Sequence, residues 1–189
     1  MKCLICESFS FDIICKTCQK NLLKPSFYKR KIKGDFYNYS FYPYSEIEDL
    51  IRSKYHFYGD RVFNILALLS FKKFANNFNF DTLVYSIGID EHTQHEFSQT
   101  AILSKHLKSK YIKPLYGRCK ATNIVKYAGH DLKFRKKNKR KFKTNIHNKT
   151  VILVDDLITT GTTLLEAKKC LEEKDNEVLF SLTLADAKI

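Results

Sequence analysis

Val151-Ile152-Leu153-Val154-Asp155-Asp156-Leu157-Ile158-Thr159-Thr160-Gly161-Thr162-Thr163 is the stretch that decides how this chain folds. Four apolar residues run into two adjacent carboxylates, and a loop of threonines around one glycine follows. A continuous apolar run of this length reads as a strand buried on both faces. Its C-terminal end delivers Asp155 and Asp156 to a crevice. The loop Thr159, Thr160, Gly161, Thr162 and Thr163 can wrap an anion with backbone N–H groups and hydroxyls at the positive end of the next helix. Carboxylates beside such a cradle suit a phosphate ligand that also carries sugar hydroxyls or Mg²⁺, as a ribose 5-phosphate does. The plain alternative is a buried strand followed by a turn with threonine helix caps.

The flanking pattern supports the same architecture. A helix is expected over 162–173 and a strand over 177–184. Upstream, strands are expected over 82–89 and 111–116, with a helix over 94–109 between them. Further helices are expected over 45–54, capped by Ser45, and over 60–78, where Val62, Phe63, Leu66, Leu69, Phe71 and Phe74 recur at helical spacing. Alternating strands and helices predict an α/β fold: a parallel sheet with helices on both faces and a ligand crevice at the carboxyl ends of its strands. Asp35 to Tyr44 is dense in aromatics and reads as one or two strands. Its rings suit sheet packing first, and stacking on the bases of a single strand second.

Cys3-x2-Cys6-x8-Cys15-x2-Cys18 opens the chain. Two C-x2-C turns can offer four thiolates to one tetrahedral Zn²⁺. A segment this short cannot fold on burial alone, so a metal would supply the missing stabilisation. A redox dithiol or incidental cysteine pairs are the alternatives. Cys119 and Cys170 read as small core residues.

The chain has 189 residues, 44% of them hydrophobic, enough for a packed core. Apolar runs are too short to span a bilayer, and the N-terminus lacks the apolar core of a signal peptide, so a cytoplasmic location is expected. The net charge is +13. Such an excess favours a polyanionic partner, although lysine-rich composition alone contributes to it. The charge peaks between Lys133 and Lys143, where eight of eleven residues are basic. Arg135, Lys136, Lys137, Lys139, Arg140 and Lys141 are the candidate contacts to a nucleic-acid backbone; the alternative is a solvated linker.

The run Val151 to Thr163 resembles the phosphoribosyl-pyrophosphate (PRPP) signature of type I phosphoribosyltransferases. A cysteine knuckle ahead of such a domain resembles the ComF (ComFC) family of competence proteins. The likeness extends to Ile51-Arg52-Ser53-Lys54-Tyr55 with Gly59, to Glu96-Phe97-Ser98-Gln99, and to Arg135-x2-Asn138. His95 stands where the family pattern has arginine.

The resemblance implies a type I phosphoribosyltransferase-like sheet preceded by a small zinc-binding knuckle. The expected division is a zinc finger over 1–24, a connector and hood over 25–79, and a core over 80–189. Asp155 and Asp156 would take the ribose hydroxyls as the catalytic pair, and Thr159 to Thr163 would hold the 5-phosphate. Structural Zn²⁺ and PRPP-associated Mg²⁺ are the implied cofactors. The implied role is handling of single-stranded DNA during uptake in natural transformation. DNA-uptake proteins at the inner membrane would be partners, with the chain cytoplasmic or peripheral at that membrane. The competing reading is an active phosphoribosyltransferase acting on a nucleobase or related acceptor.

Overall fold

The computed structural model describes residues 1–90, 97–122 and 141–189. A seven-stranded sheet organises them, in the order β1-β2-β7-β6-β3-β4-β5. The strands are β1 (Tyr28–Lys33), β2 (Phe36–Pro43), β3 (Val84–Asp90), β4 (Ile112–Ala121), β5 (Phe142–Thr144), β6 (Thr150–Ile158) and β7 (Glu177–Asp186). The central pairings β2–β7, β7–β6, β6–β3 and β3–β4 are parallel. Both edges are antiparallel, β1 on β2 and β5 on β4. The sheet is therefore mixed, with the expected parallel arrangement as its centre.

Val151, Ile152, Leu153 and Val154 of β6 have no solvent exposure, yet they divide between two cores. Ile152 and Val154 pack on one face, with Val62, Phe63, Leu66 and Leu103. Those residues come from α3 (Gly59–Leu69) and α5 (Gln99–His106), which lie on that side with α2 (Tyr44–Arg52) and α4 (Phe71–Asn77). Val151 and Leu153 face α6 (Thr162–Glu172) through Leu164, Ala167 and Leu171. Alternation along a strand puts successive residues on opposite faces, so one apolar run serves both layers.

Several boundaries differ from the sequence expectation for local reasons. The helix expected over 60–78 is two, because Ser70 leaves helical geometry (φ −113°, ψ −74°) and its hydroxyl donates to the Leu66 carbonyl at 2.6 Å. Ser45 does not cap α2, which begins at Tyr44 after Pro43. Ser98, instead, caps α5 by accepting from the Ala101 N–H at 3.1 Å. Within the expected connector, β1 pairs with β2 around a turn at Gly34 (φ +55°).

Register between β2 and β7 is fixed by a buried polar chain. Asn38 Nδ2 donates to Thr183 Oγ1, and Ser181 Oγ donates to Asn38 Oδ1, both at 2.9 Å. Satisfying three buried side chains requires this alignment, because a slip would leave them unpaired. The aromatic residues of β2 mostly pack: Phe36, Phe41 and Tyr42 are buried. No helix among the described residues is long and apolar enough to cross a membrane.

Candidate functional site

The paired carboxylates lie near the C-terminal end of β6. Pairing with β7 continues through Ile158, so Asp155 and Asp156 lie inside the strand rather than after it. Both are buried, 9% and 6% exposed. Only Leu157 and Ile158 of β6 follow them. Asp155 Oδ1 accepts the Asp156 N–H at 2.9 Å. Asp156 Oδ2 receives the ammonium of Lys54 at 2.7 Å. Burial alone would push the Asp156 carboxyl up, but Lys54 and the Leu157 N–H outweigh it and hold the carboxyl below the usual range. Lys54 shows the mirror effect: burial opposes its charge, yet Asp156 keeps the ammonium above the ordinary lysine range.

Lys54 belongs to the 3-10 turn Ser53–Tyr55 that joins α2 to α3. Gly59 lets α3 begin close against that turn. A Cβ there would lie 2.3 Å from the Ser53 carbonyl oxygen and 2.8 Å from the Phe97 ring. Sequence reasoning gave Lys54 no role. Its partner is 102 positions away, and no local periodicity marks it.

The threonine loop then turns into α6. Gly161 caps the helix in the left-handed region (φ +79°), where a side chain is strained. A Cβ there would also meet Ile32 Cγ2 at 2.7 Å. Thr160 and Thr162 hydroxyls are 2.9 Å apart, and Thr160 Oγ1 accepts the Thr162 N–H at 3.4 Å. Arg30 braces the loop from β1. It donates to the Thr159 carbonyl at 2.7 Å and to Asp186 Oδ1 at 2.5 Å. The carboxylates of β6, the threonine loop and the α6 N-terminus follow one another along this stretch of the chain. This donor set fits a phosphorylated sugar, with Asp155 and Asp156 able to hold hydroxyls or a divalent cation.

At the N-terminus the sulfurs of Cys3, Cys6, Cys15 and Cys18 lie within 4.8 Å of one another. Cys6 and Cys15 sulfurs are 3.7 Å apart. A tetrahedral zinc with bonds of about 2.3 Å needs sulfurs about 3.8 Å apart, so the cluster matches a metal centre. The Cys15 N–H points at Cys3 Sγ at 3.2 Å, and the Ile5 N–H at 3.5 Å. Burial raises the Cys3 thiol, but the backbone N–H groups of Cys6, Cys15 and Ile5 bring it down to about 6. Burial and the neighbouring sulfurs push Cys18 up to about 12, a crowding of thiolates that a dication relieves. The knuckle is not a separate bead. Ile13, Ile14 and Leu23 join the same core as Phe41 and Tyr42, and Tyr42 donates its hydroxyl to the Leu23 carbonyl at 3.1 Å.

The other sequence candidates divide. Arg135, Lys136, Lys137, Lys139 and Arg140 lie outside the described residues, as does His95. Lys141 is exposed beside β5, and its carbonyl accepts from the Thr122 N–H and hydroxyl, each at 2.7 Å. Cys119 is fully buried core, and Cys170 donates to the Phe142 carbonyl at 3.3 Å. His106 Nε2 lies 3.0 Å from Asn64 Oδ1.

Residues 103–189 match the phosphoribosyl transferase domain family. The matched segment contains β6, the threonine loop and α6. Over that segment the fold is phosphoribosyltransferase-like. Among solved structures, the chain is similar to a hypoxanthine phosphoribosyltransferase from Staphylococcus aureus. That likeness has 14% identity and a TM-score of 0.43, over 67% of this chain and 64% of that one. A phosphoribosyltransferase from Corynebacterium diphtheriae aligns at 17% identity and TM-score 0.43, over 90% of this chain and 81% of that one. UMP synthase from Leishmania donovani aligns at 15% identity and TM-score 0.42, over 90% of this chain but 31% of that one. The chain thus spans less than two thirds of the length of the Staphylococcus aureus enzyme. No protein of curated function matches the sequence.

Proposed function

We propose that this chain binds PRPP with Mg²⁺ at the β6–α6 crevice. The observation that carries the reading is the run of Asp155, Asp156 and the loop Thr159–Thr163 at the carboxyl end of a central parallel strand, capped by Gly161 at a helix N-terminus. The helix dipole and loop N–H groups would take the 5-phosphate. Asp155 and Asp156 would take ribose hydroxyls, and a carboxylate there would help hold Mg²⁺ against the diphosphate. Titration calorimetry with PRPP and Mg²⁺ tests this. Saturable binding that disappears in a folded Asp155→Ala/Asp156→Ala variant is expected. Unchanged binding in that variant overturns the assignment.

A second property supports a wider role in handling single-stranded DNA for uptake. The net charge of +13 far exceeds what one diphosphate ligand needs. Binding to single-stranded DNA should weaken with salt, by roughly 0.7 in log K per phosphate contact for each decade of salt. Neutralising Lys136, Lys137, Lys139 and Arg140 together should flatten that dependence. Wild-type behaviour of that variant at every salt concentration would make the run a solvated linker.

A further inference from the structure

The outer face of the β1–β2 hairpin carries lysines set against aromatic rings. Lys29 stands opposite Tyr39 and Lys31 opposite Tyr37 in the antiparallel register. The Lys29 ammonium lies 4.2 Å from the Tyr37 ring centre and 5.8 Å from Tyr39, and Lys31 lies 5.8 Å from Tyr37. The acid recorded against this row is Asp35, fully exposed and 4.0 Å from Lys31. Phe27 stacks on Tyr39 with ring centres 5.0 Å apart and 11° between planes, yet is 54% exposed. Phe27 also stacks on Phe74, with ring centres 5.8 Å apart and 23° between planes.

Beyond Phe27 the face opens into a groove of about 650 Å³. Phe27, Phe41, Phe74 and Phe78 line it, with Lys73 and Asn77 from α4. None of the residues lining the groove belongs to the carboxylate and threonine site. The occupant has to satisfy flat apolar rings, amide edges and lysines together. A purely apolar protein segment would use the rings but not the row of ammoniums. Single-stranded nucleic acid uses all three: bases stack on aromatics, amides meet base edges, and phosphates meet lysines.

We infer that Phe27, Tyr37, Tyr39 and the groove beside them form a stacking platform for single-stranded nucleic acid, with Lys29, Lys31 and Lys73 taking its phosphates. This rests on the DNA-handling reading but assigns the contact to the β1–β2 face and its groove. A duplex keeps its bases stacked inward and cannot use such a platform.

The chain has no tryptophan, so Phe27→Trp creates a single reporter within the groove. Adding a short oligothymidylate should quench its emission, in step with binding followed by anisotropy of labelled oligonucleotide. In the Lys29→Gln/Lys31→Gln/Lys73→Gln variant, the slope of log K against log salt should shrink by about 2, three phosphate contacts' worth. Duplex DNA of the same length should compete poorly. If wild-type protein binds oligothymidylate but Phe27→Trp emission stays constant and the lysine variant keeps the full slope, the platform is refuted and the DNA-handling reading stands. The groove would then suit a protein partner. If wild-type protein binds no oligothymidylate at low salt, both fall.

Discussion

The Lys54 ammonium sits 2.7 Å from Asp156 Oδ2 and joins the turn between α2 and α3 to the end of β6. The lysine side chain is 22% exposed and the aspartate 8%, so the pair is partly withdrawn from water. Asp155 lies next to it and also favours the lysine's charge. The proposed ribose site therefore begins with one of its two carboxylates already matched by a cation. When a diphosphate arrives, that same cation is an available counter-charge.

Removing the carboxylate alone should cost stability as well as ligand. Asp156→Asn leaves Lys54 partly buried and unpaired, and breaking such a pair typically costs about 3 kcal/mol. Chemical denaturation should show the loss, and Lys54→Met in the Asp156→Asn background should recover most of it. Equal stability of wild type and Asp156→Asn would mean that the pair contributes nothing.

The pair also sets a pH window. The Asp156 carboxyl is depressed in the folded state, so its contribution is present above the unfolded value of about 3.9 and is lost as pH falls through the lower folded value. Lys54 is raised, so its contribution is present below about 10.4 and is lost as pH rises through the higher folded value. The stability advantage of wild type over Lys54→Met/Asp156→Asn should be flat between about pH 5 and 9 and decline on both sides. An advantage that changes steadily across neutral pH would point to a different titrating group.

How much of this was readable beforehand follows from the range of each interaction. The strand, the carboxylates, the threonine loop and the following helix were legible because all lie within one contiguous stretch, 151–173. The four cysteines were legible because metal geometry fixes their spacing. Lys54 and Arg30 were not, since their partners Asp156 and Asp186 lie 102 and 156 positions away. The break at Ser70 was missed because serine is tolerated within a helix and the apolar spacing continues past it. The edge strand β1 was missed because its alternation is lysine against half-buried residues, which reads as a charged linker.

Gly161 should tolerate no side chain, for two separable reasons. Its φ of +79° penalises any L residue, and the Cβ would press on Ile32 at 2.7 Å. Gly161→Ala should lose about 1–2 kcal/mol of stability and weaken PRPP by tenfold or more. Adding Ile32→Ala should restore the share due to crowding but not the share due to φ. Full restoration in the double variant would show that the backbone conformation is not limiting.

Zinc should stabilise more than the knuckle. One zinc per chain is expected by elemental analysis of protein purified without chelator. Because Ile13, Ile14 and Leu23 pack into the main core, Cys15→Ser or chelation should lower the melting temperature of the whole chain. Metal well below one per chain would reject the site. A local transition with the main melt unchanged would show that the knuckle is uncoupled.

Arg30 offers the sharpest separation of positioning from binding. It donates to the Thr159 carbonyl with Nη2 and to buried Asp186 with Nη1, so one planar group ties the threonine loop to the end of β7. Lysine keeps the charge but cannot place two donors in that fixed fork. Arg30→Lys should therefore keep Asp186 paired and leave stability within about 1 kcal/mol, while the loop loses its brace. PRPP affinity is expected to fall several-fold through faster dissociation, and amide exchange over Thr159–Thr163 should accelerate in the absence of ligand. Arg30→Met should be far less stable, because Asp186 would remain buried without its cation. Equal PRPP dissociation from wild type and Arg30→Lys would show that the loop holds its shape without the guanidinium.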